Sequence, residues 1–168
     1  MLVDMLQRVL SIAAPLAVTI GVIIALLQLR NQNRLRQLEI VMRLYSIFGQ
    51  ESFICHYNRV AAWDYATYEQ YRERGSEEDA TALLVVGVFF ENMGLLLKRE
   101  LASIDLLDDL LSSPILESWP RVRPIARGMR EEHGHPAWFE WYEFLYDSMA
   151  KRITELDGIQ AEEIPEPA

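Results

Sequence analysis

The chain has one cysteine, Cys55, so an internal disulfide is excluded, as suits a reducing compartment. Of its 16 basic residues only Lys98 and Lys151 are lysine, a compositional bias that carries no functional argument. There is no glycine-rich loop to cradle phosphates and no G-x-S-x-G elbow, which removes the motif basis for nucleotide binding and for α/β-hydrolase chemistry. No stretch alternates apolar and polar residues as a half-buried strand does, and no segment repeats, so the expected fold class is all-α. Two further absences organise the amino-terminal third. No charge occurs between Arg8 and Arg30, and neither glycine nor proline occurs from Val22 to Phe48.

The uncharged run, VLSIAAPLAVTIGVIIALLQL, is 21 residues long. At ~1.5 Å per residue, a helix of that length covers the ~30 Å hydrocarbon core of a bilayer. It exceeds the apolar core of a signal peptide and lacks an A-x-A-like site, and it has no polar stripe of the kind a soluble helix shows. The expectation is one transmembrane helix over 9–29, after a short extracytoplasmic amino terminus, 1–8. Arg30, Arg34 and Arg36 follow directly and form a basic juxtamembrane neck, 30–37. The positive-inside rule then places the rest in the cytoplasm, with bacterial inner-membrane localisation and the amino terminus out. Ala13, Ala17, Gly21 and Ala25 recur every fourth residue and make a small-residue face on which another span could pack. Pro15 is expected to bend the first turns.

Charge is uneven. Residues 1–50 carry five arginines against Asp4 and Glu39, a net of +3; residues 51–168 carry 11 basic and 23 acidic residues, a net of −12. An acidic body repels phosphate backbones, so nucleic acid is not an expected partner, whereas the basic neck suits anionic lipid.

The spanning helix is expected to run on into a compact helical bundle over 38–156 and to end at Gly49. A second helix is expected over 52–73. Ser76 with Asp79 has capping-box form and opens a third, strongly apolar helix through about Lys98. Ser103 is expected to cap a short fourth helix, IDLLDDLL, and Ser113-Pro114 to start another that Pro120 and Pro124 bend or split. His133–Pro136 reads as a turn before a last helix over about 137–156, and the acidic 157–168 as a disordered tail.

No catalytic set emerges. Cys55 and His56 are adjacent on a helix, so their side chains diverge by about 100° and do not work together as nucleophile and base. His133 and His135 with Glu131 or Glu132 match no metal-ligand spacing; no metal, cofactor or catalytic residue is expected. Glu91 lies on an apolar face with Leu84, Val88 and Leu95 and needs a partner. The candidates are Arg123, Arg127 and Arg130, which share one helix face: either a buried ion pair or an anion site results.

The span running into LRQLEIVMRLYSIF, then VFFENMGLLLKRELASIDLLDDLL, then Trp119 with PIARGMRE, and the closing FEWYEFLY together resemble an uncharacterised bacterial family, a domain of unknown function, over roughly 10–150. The resemblance implies one amino-terminal span and a small cytoplasmic helical domain, with no assigned activity. The expected function is a membrane-anchored, non-enzymatic interaction protein, an accessory or scaffolding subunit of an inner-membrane complex. Its partners would be membrane lipid and other transmembrane helices. The alternative is a membrane-tethered sensor or effector, in stress or phage defence, whose arginine cluster recognises an anionic ligand.

Overall fold

The computed structural model describes the backbone of residues 2–163 and side chains for 17, 18, 20–32, 35, 38, 39, 41–43 and 45–156. Six helices follow one another: α1 (Leu2–Phe48), α2 (Glu51–Ala61), α3 (Tyr68–Arg74), α4 (Glu77–Lys98), α5 (Ile104–His133) and α6 (Glu140–Glu163). No strand occurs among the described residues, so the fold is all-α. The chain divides into two compact units, residues 1–40 and 41–168.

The first unit is a single helix. From Val18 to Leu29, eight large apolar side chains (Val18, Ile20, Val22, Ile23, Ile24, Leu26, Leu27 and Leu29) stand 49–66% exposed around all sides of it. Leu35 and Leu38 are exposed as well.

The second unit is a helical bundle centred on α4, which packs against α2 on one side and α6 on the other, while α5 lies against α6, α3 and α2. Val86, Phe90, Met93, Leu107, Leu111, Ile115, Trp119, Tyr142, Leu145 and Met149 are buried at its centre. The last turns of α1 close this core: Val41 is buried, and Phe48 packs on Phe53, Tyr57 and Phe89. Helix α4 is long and apolar enough to cross a membrane, with a mean hydropathy of 1.9. Nine of its residues, from Asp79 to Gly94, are nevertheless buried in the bundle, as in the core helix of a folded domain.

Three expected elements differ. The helix expected over 52–73 is two, α2 and α3, because residues 62–67 turn Trp63 and Tyr65 onto Asp79 and Thr67 then caps a new start by accepting from the Gln70 N–H. The expected helices after Ser103 and Ser113 are one, α5, with Pro114, Pro120 and Pro124 inside it. Its buried stripe, Leu107, Leu111, Ile115, Trp119, Val122 and Ala126, runs unbroken at spacings of three and four, and Pro120 and Pro124 fall on the opposite side. Burial of that stripe therefore outweighs the backbone bonds lost at each proline. Helix α6 begins at Glu140, three residues later than expected, and continues through Glu163 into the stretch read as a disordered tail. Residues 164–168 lie outside those described. The capping box at Ser76 and Asp79 is present as expected, and so is the turn at Gly134, which takes φ 65° to end α5.

Candidate functional site

Two polar constructions and one groove organise the bundle. The first is centred on Asp79, the third residue of α4 and 7% exposed. One carboxylate oxygen accepts from Trp63 Nε1 at 3.0 Å and Arg59 Nη1 at 3.2 Å; the other accepts from Ser76 N–H at 2.9 Å, Ser76 Oγ at 3.1 Å and Tyr65 hydroxyl at 3.2 Å. Burial pushes this carboxyl up, but donation from the Ser76 backbone, Trp63, Arg59 and the Ser76 side chain outweighs it and holds the group at about 2, below its ordinary 3.8. A capping box has thus become the anchor that ties α2 and the 62–67 turn to the start of α4.

The second construction surrounds Glu91. The residue preceding α6 is Phe139, which has no side-chain oxygen to cap the helix and holds the left-handed φ of 57°. Glu91 supplies the missing acceptor from α4: its Oε2 takes the Tyr142 N–H at 2.8 Å. Burial raises this carboxyl above the ordinary range, against the Tyr142 and Trp141 backbone N–H groups and the Arg130 charge, which lower it; the neighbouring Glu140 adds to the rise. Arg130 clamps the same junction. Its Nε donates to the Trp138 carbonyl at 2.7 Å and its Nη1 to Glu143 at 2.7 Å.

The expected pairing of Glu91 with an arginine is therefore replaced by a backbone cap. The three arginines do not converge either. Arg123 lies over the Tyr146 ring at 5.0 Å, Arg130 engages Trp138 and Glu143, and Arg127 is exposed. Helix α6 starts close enough to α4 for its own amides to reach Glu91, so the carboxylate is satisfied before a guanidinium is needed.

Beside this junction lies a groove of about 390 Å³ lined by Leu84, Val88, Glu91, Met129, Ala137, Trp138 and Phe139. Leu84 and Val88 are 63% and 47% exposed. Phe139 forms one wall because Gly87 leaves room for its ring. His133 and His135 flank the Trp138 ring at 5.2 and 5.4 Å between centroids. Chemically the groove offers apolar walls and one carboxylate already used as a helix cap, which suits holding an apolar side chain. Among the described residues, no three His, Cys, Asp or Glu side chains come together to hold a metal ion.

On the first unit, Ala17, Gly21, Ala25 and Arg30 are exposed, and a Cβ added at Gly21 would meet nothing within 4 Å. The side chains of Ala13, Arg34 and Arg36 lie outside those described.

The fold and these sites define an all-helical protein built on an apolar core helix, with one carboxylate anchoring the start of that helix and a second capping its neighbour. Residues 15–149 match the model of the domain of unknown function DUF4760, and the chain belongs to that family. The match falls within the 10–150 stretch over which the sequence resemblance runs. No curated protein and no solved structure matches the chain.

Proposed function

We propose that the protein is a membrane-anchored, non-enzymatic interaction protein, an accessory or scaffolding subunit of an inner-membrane complex. Residues 9–29 cross the bilayer once, the arginines of 30–37 meet anionic headgroups on the cytoplasmic side, and the bundle works in the cytoplasm. The observation that carries the reading is the exposure of the eight apolar side chains from Val18 to Leu29 around every side of α1. In water such surface costs roughly 25 cal/mol per Å², and hydrocarbon removes that cost. Helix α4, the other apolar candidate, has less such need because Ala82, Leu83, Val86, Phe89, Phe90 and Met93 are buried in the bundle core, leaving Leu84 and Val88 exposed.

Docking falls to the small-residue face, where backbones can approach closely without a hydrophobic drive. Since Gly21 has open space around it, a larger side chain there leaves the chain's own fold intact and blocks only a partner. Membranes extracted in mild detergent and run on native gels are expected to show this chain in a larger assembly. Gly21→Leu is expected to shift it to a faster-migrating band. An unchanged band for Gly21→Leu would end the docking role of this face.

A further inference from the structure

Ala17, Gly21, Ile24, Gln28, Asn31, Leu35 and Leu38 are separated alternately by four and three residues, and all seven are exposed on α1. That alternation is a heptad seam, with Gly21, Gln28 and Leu35 at one core position and Ala17, Ile24, Asn31 and Leu38 at the other. It shares Ala17 and Gly21 with the small-residue face and then leaves the apolar run. Past Arg30 the helix is polar, and Leu35 and Leu38 are the only apolar residues between Arg30 and Glu39. Both fall on the seam, 65% and 44% exposed. Lipid does not account for them, because they lie beyond the 21-residue uncharged run.

We propose that the occupant of this face is a second copy of the chain, packed in parallel along Ala17, Gly21, Ile24, Gln28, Asn31, Leu35 and Leu38. The inference deepens the anchoring reading by naming the partner, and it rests on that reading for the membrane half of the seam. Three properties select a parallel copy. In the sequence, Arg34 takes the position before Leu35 and Glu39 the position after Leu38, five residues on. In a parallel pair these positions face each other as Arg and Glu, whereas an antiparallel pair sets Arg against Arg and Glu against Glu. Gln28 and Asn31 each carry a donor and an acceptor on one amide, so each is complementary to its own copy across a two-fold axis. Two identical spans inserted by the same charge rule are also parallel by construction. Small residues at the membrane end and leucines at the aqueous end let one continuous left-handed crossing serve both solvents.

Disulfide trapping of the full chain in its own membranes tests this. In a Cys55→Ser background, the seam variants Gln28→Cys, Asn31→Cys and Leu35→Cys are oxidised with copper-phenanthroline beside Asn33→Cys and Gln37→Cys, which take outer positions of the sequence heptad. Seam variants are expected to give covalent dimer on the order of tenfold more than the outer ones, as knobs on the dimer axis do. With Leu35→Cys as the reporter, Arg34→Glu is expected to lower the dimer yield, and adding Glu39→Arg to restore it. Equal trapping at all five positions, or none at the seam, overturns the parallel dimer. Carbonate washing of the same membranes separates the two readings. A chain that stays with the membrane without seam crosslinks loses only the dimer. A chain that washes out loses the anchor, and Asn31 and Leu35, beyond the span, still decide the dimer.

Discussion

Replacing Gly94 by alanine is expected to lower the stability of the helical bundle by about 3 kcal/mol or more, the upper range for overpacking a core. A methyl group at this position on α4 would collide with the carbonyl oxygen and carbon of Trp141. The obstacle is backbone at the first turn of α6, so rotamer changes do not relieve it; α6 must move away from α4. Movement there withdraws the Tyr142 N–H from Glu91 and loosens the contacts of Tyr142 with Phe90 and Trp119, whose ring centroids lie 4.8 and 4.7 Å away. Gly87→Ala is the internal comparison, because its methyl meets the edge of the Phe139 ring, a side chain able to yield. Thermal unfolding of the full chain followed by circular dichroism should show Gly94→Ala down by roughly 6–12 °C and Gly87→Ala by less. Equal losses at the two positions would contradict a backbone-limited contact between α4 and α6.

Asp79→Ala is expected to have the second large effect. Removing the carboxylate strands the Trp63 indole N–H in the core and leaves Arg59, Tyr65 and the Ser76 N–H without their common acceptor. Losing one partner of such a buried charged network costs about 3 kcal/mol. The same residue sets a pH dependence. Its carboxyl titrates at about 2 in the fold and at its ordinary 3.8 in an open chain. The stabilisation is therefore complete above pH 3.8 and is lost as pH falls towards 2, a contribution of about 2 kcal/mol. Denaturant midpoints measured between pH 5 and pH 2 should fall for the native chain, and part of that fall should vanish in Asp79→Asn. A parallel fall in both would remove Asp79 as its source.

Much of the fold was legible in the residues themselves because local signals dominate there. Ser76 and Asp79 announced α4, Gly134 closed α5, and the absence of glycine and proline carried α1 to Phe48. The misreadings arose where distant contacts decide. Three prolines argued for breaks in α5, yet its buried stripe holds it together, since proline preference is local and burial sums over the whole helix. The break before α3 had a local signal in Thr67 with Gln70 three residues on, a capping pattern hidden by the aromatic residues around it. Glu91 was recognisable as a carboxylate in need of a partner. Its actual partner is a backbone amide 51 residues away, and backbone donors leave no trace in side-chain composition. The participation of Trp63 and Tyr65 at Asp79 was hidden for a different reason: their side-chain donors are visible in the sequence, but only folding brings them to the capping box.

A single span that leaves the bundle on the cytoplasmic side can be tested with a reporter that the native chain carries. Cys55 is the single cysteine and is exposed on α2. Labelling it with a membrane-impermeant maleimide in right-side-out and in inverted membrane vesicles, each washed with carbonate, reads anchoring and orientation together. If residues 9–29 cross once with the bundle inside, the chain stays in the washed membranes and Cys55 is labelled only in the inverted vesicles. Labelling in right-side-out vesicles, or loss of the chain to the carbonate wash, would contradict that topology.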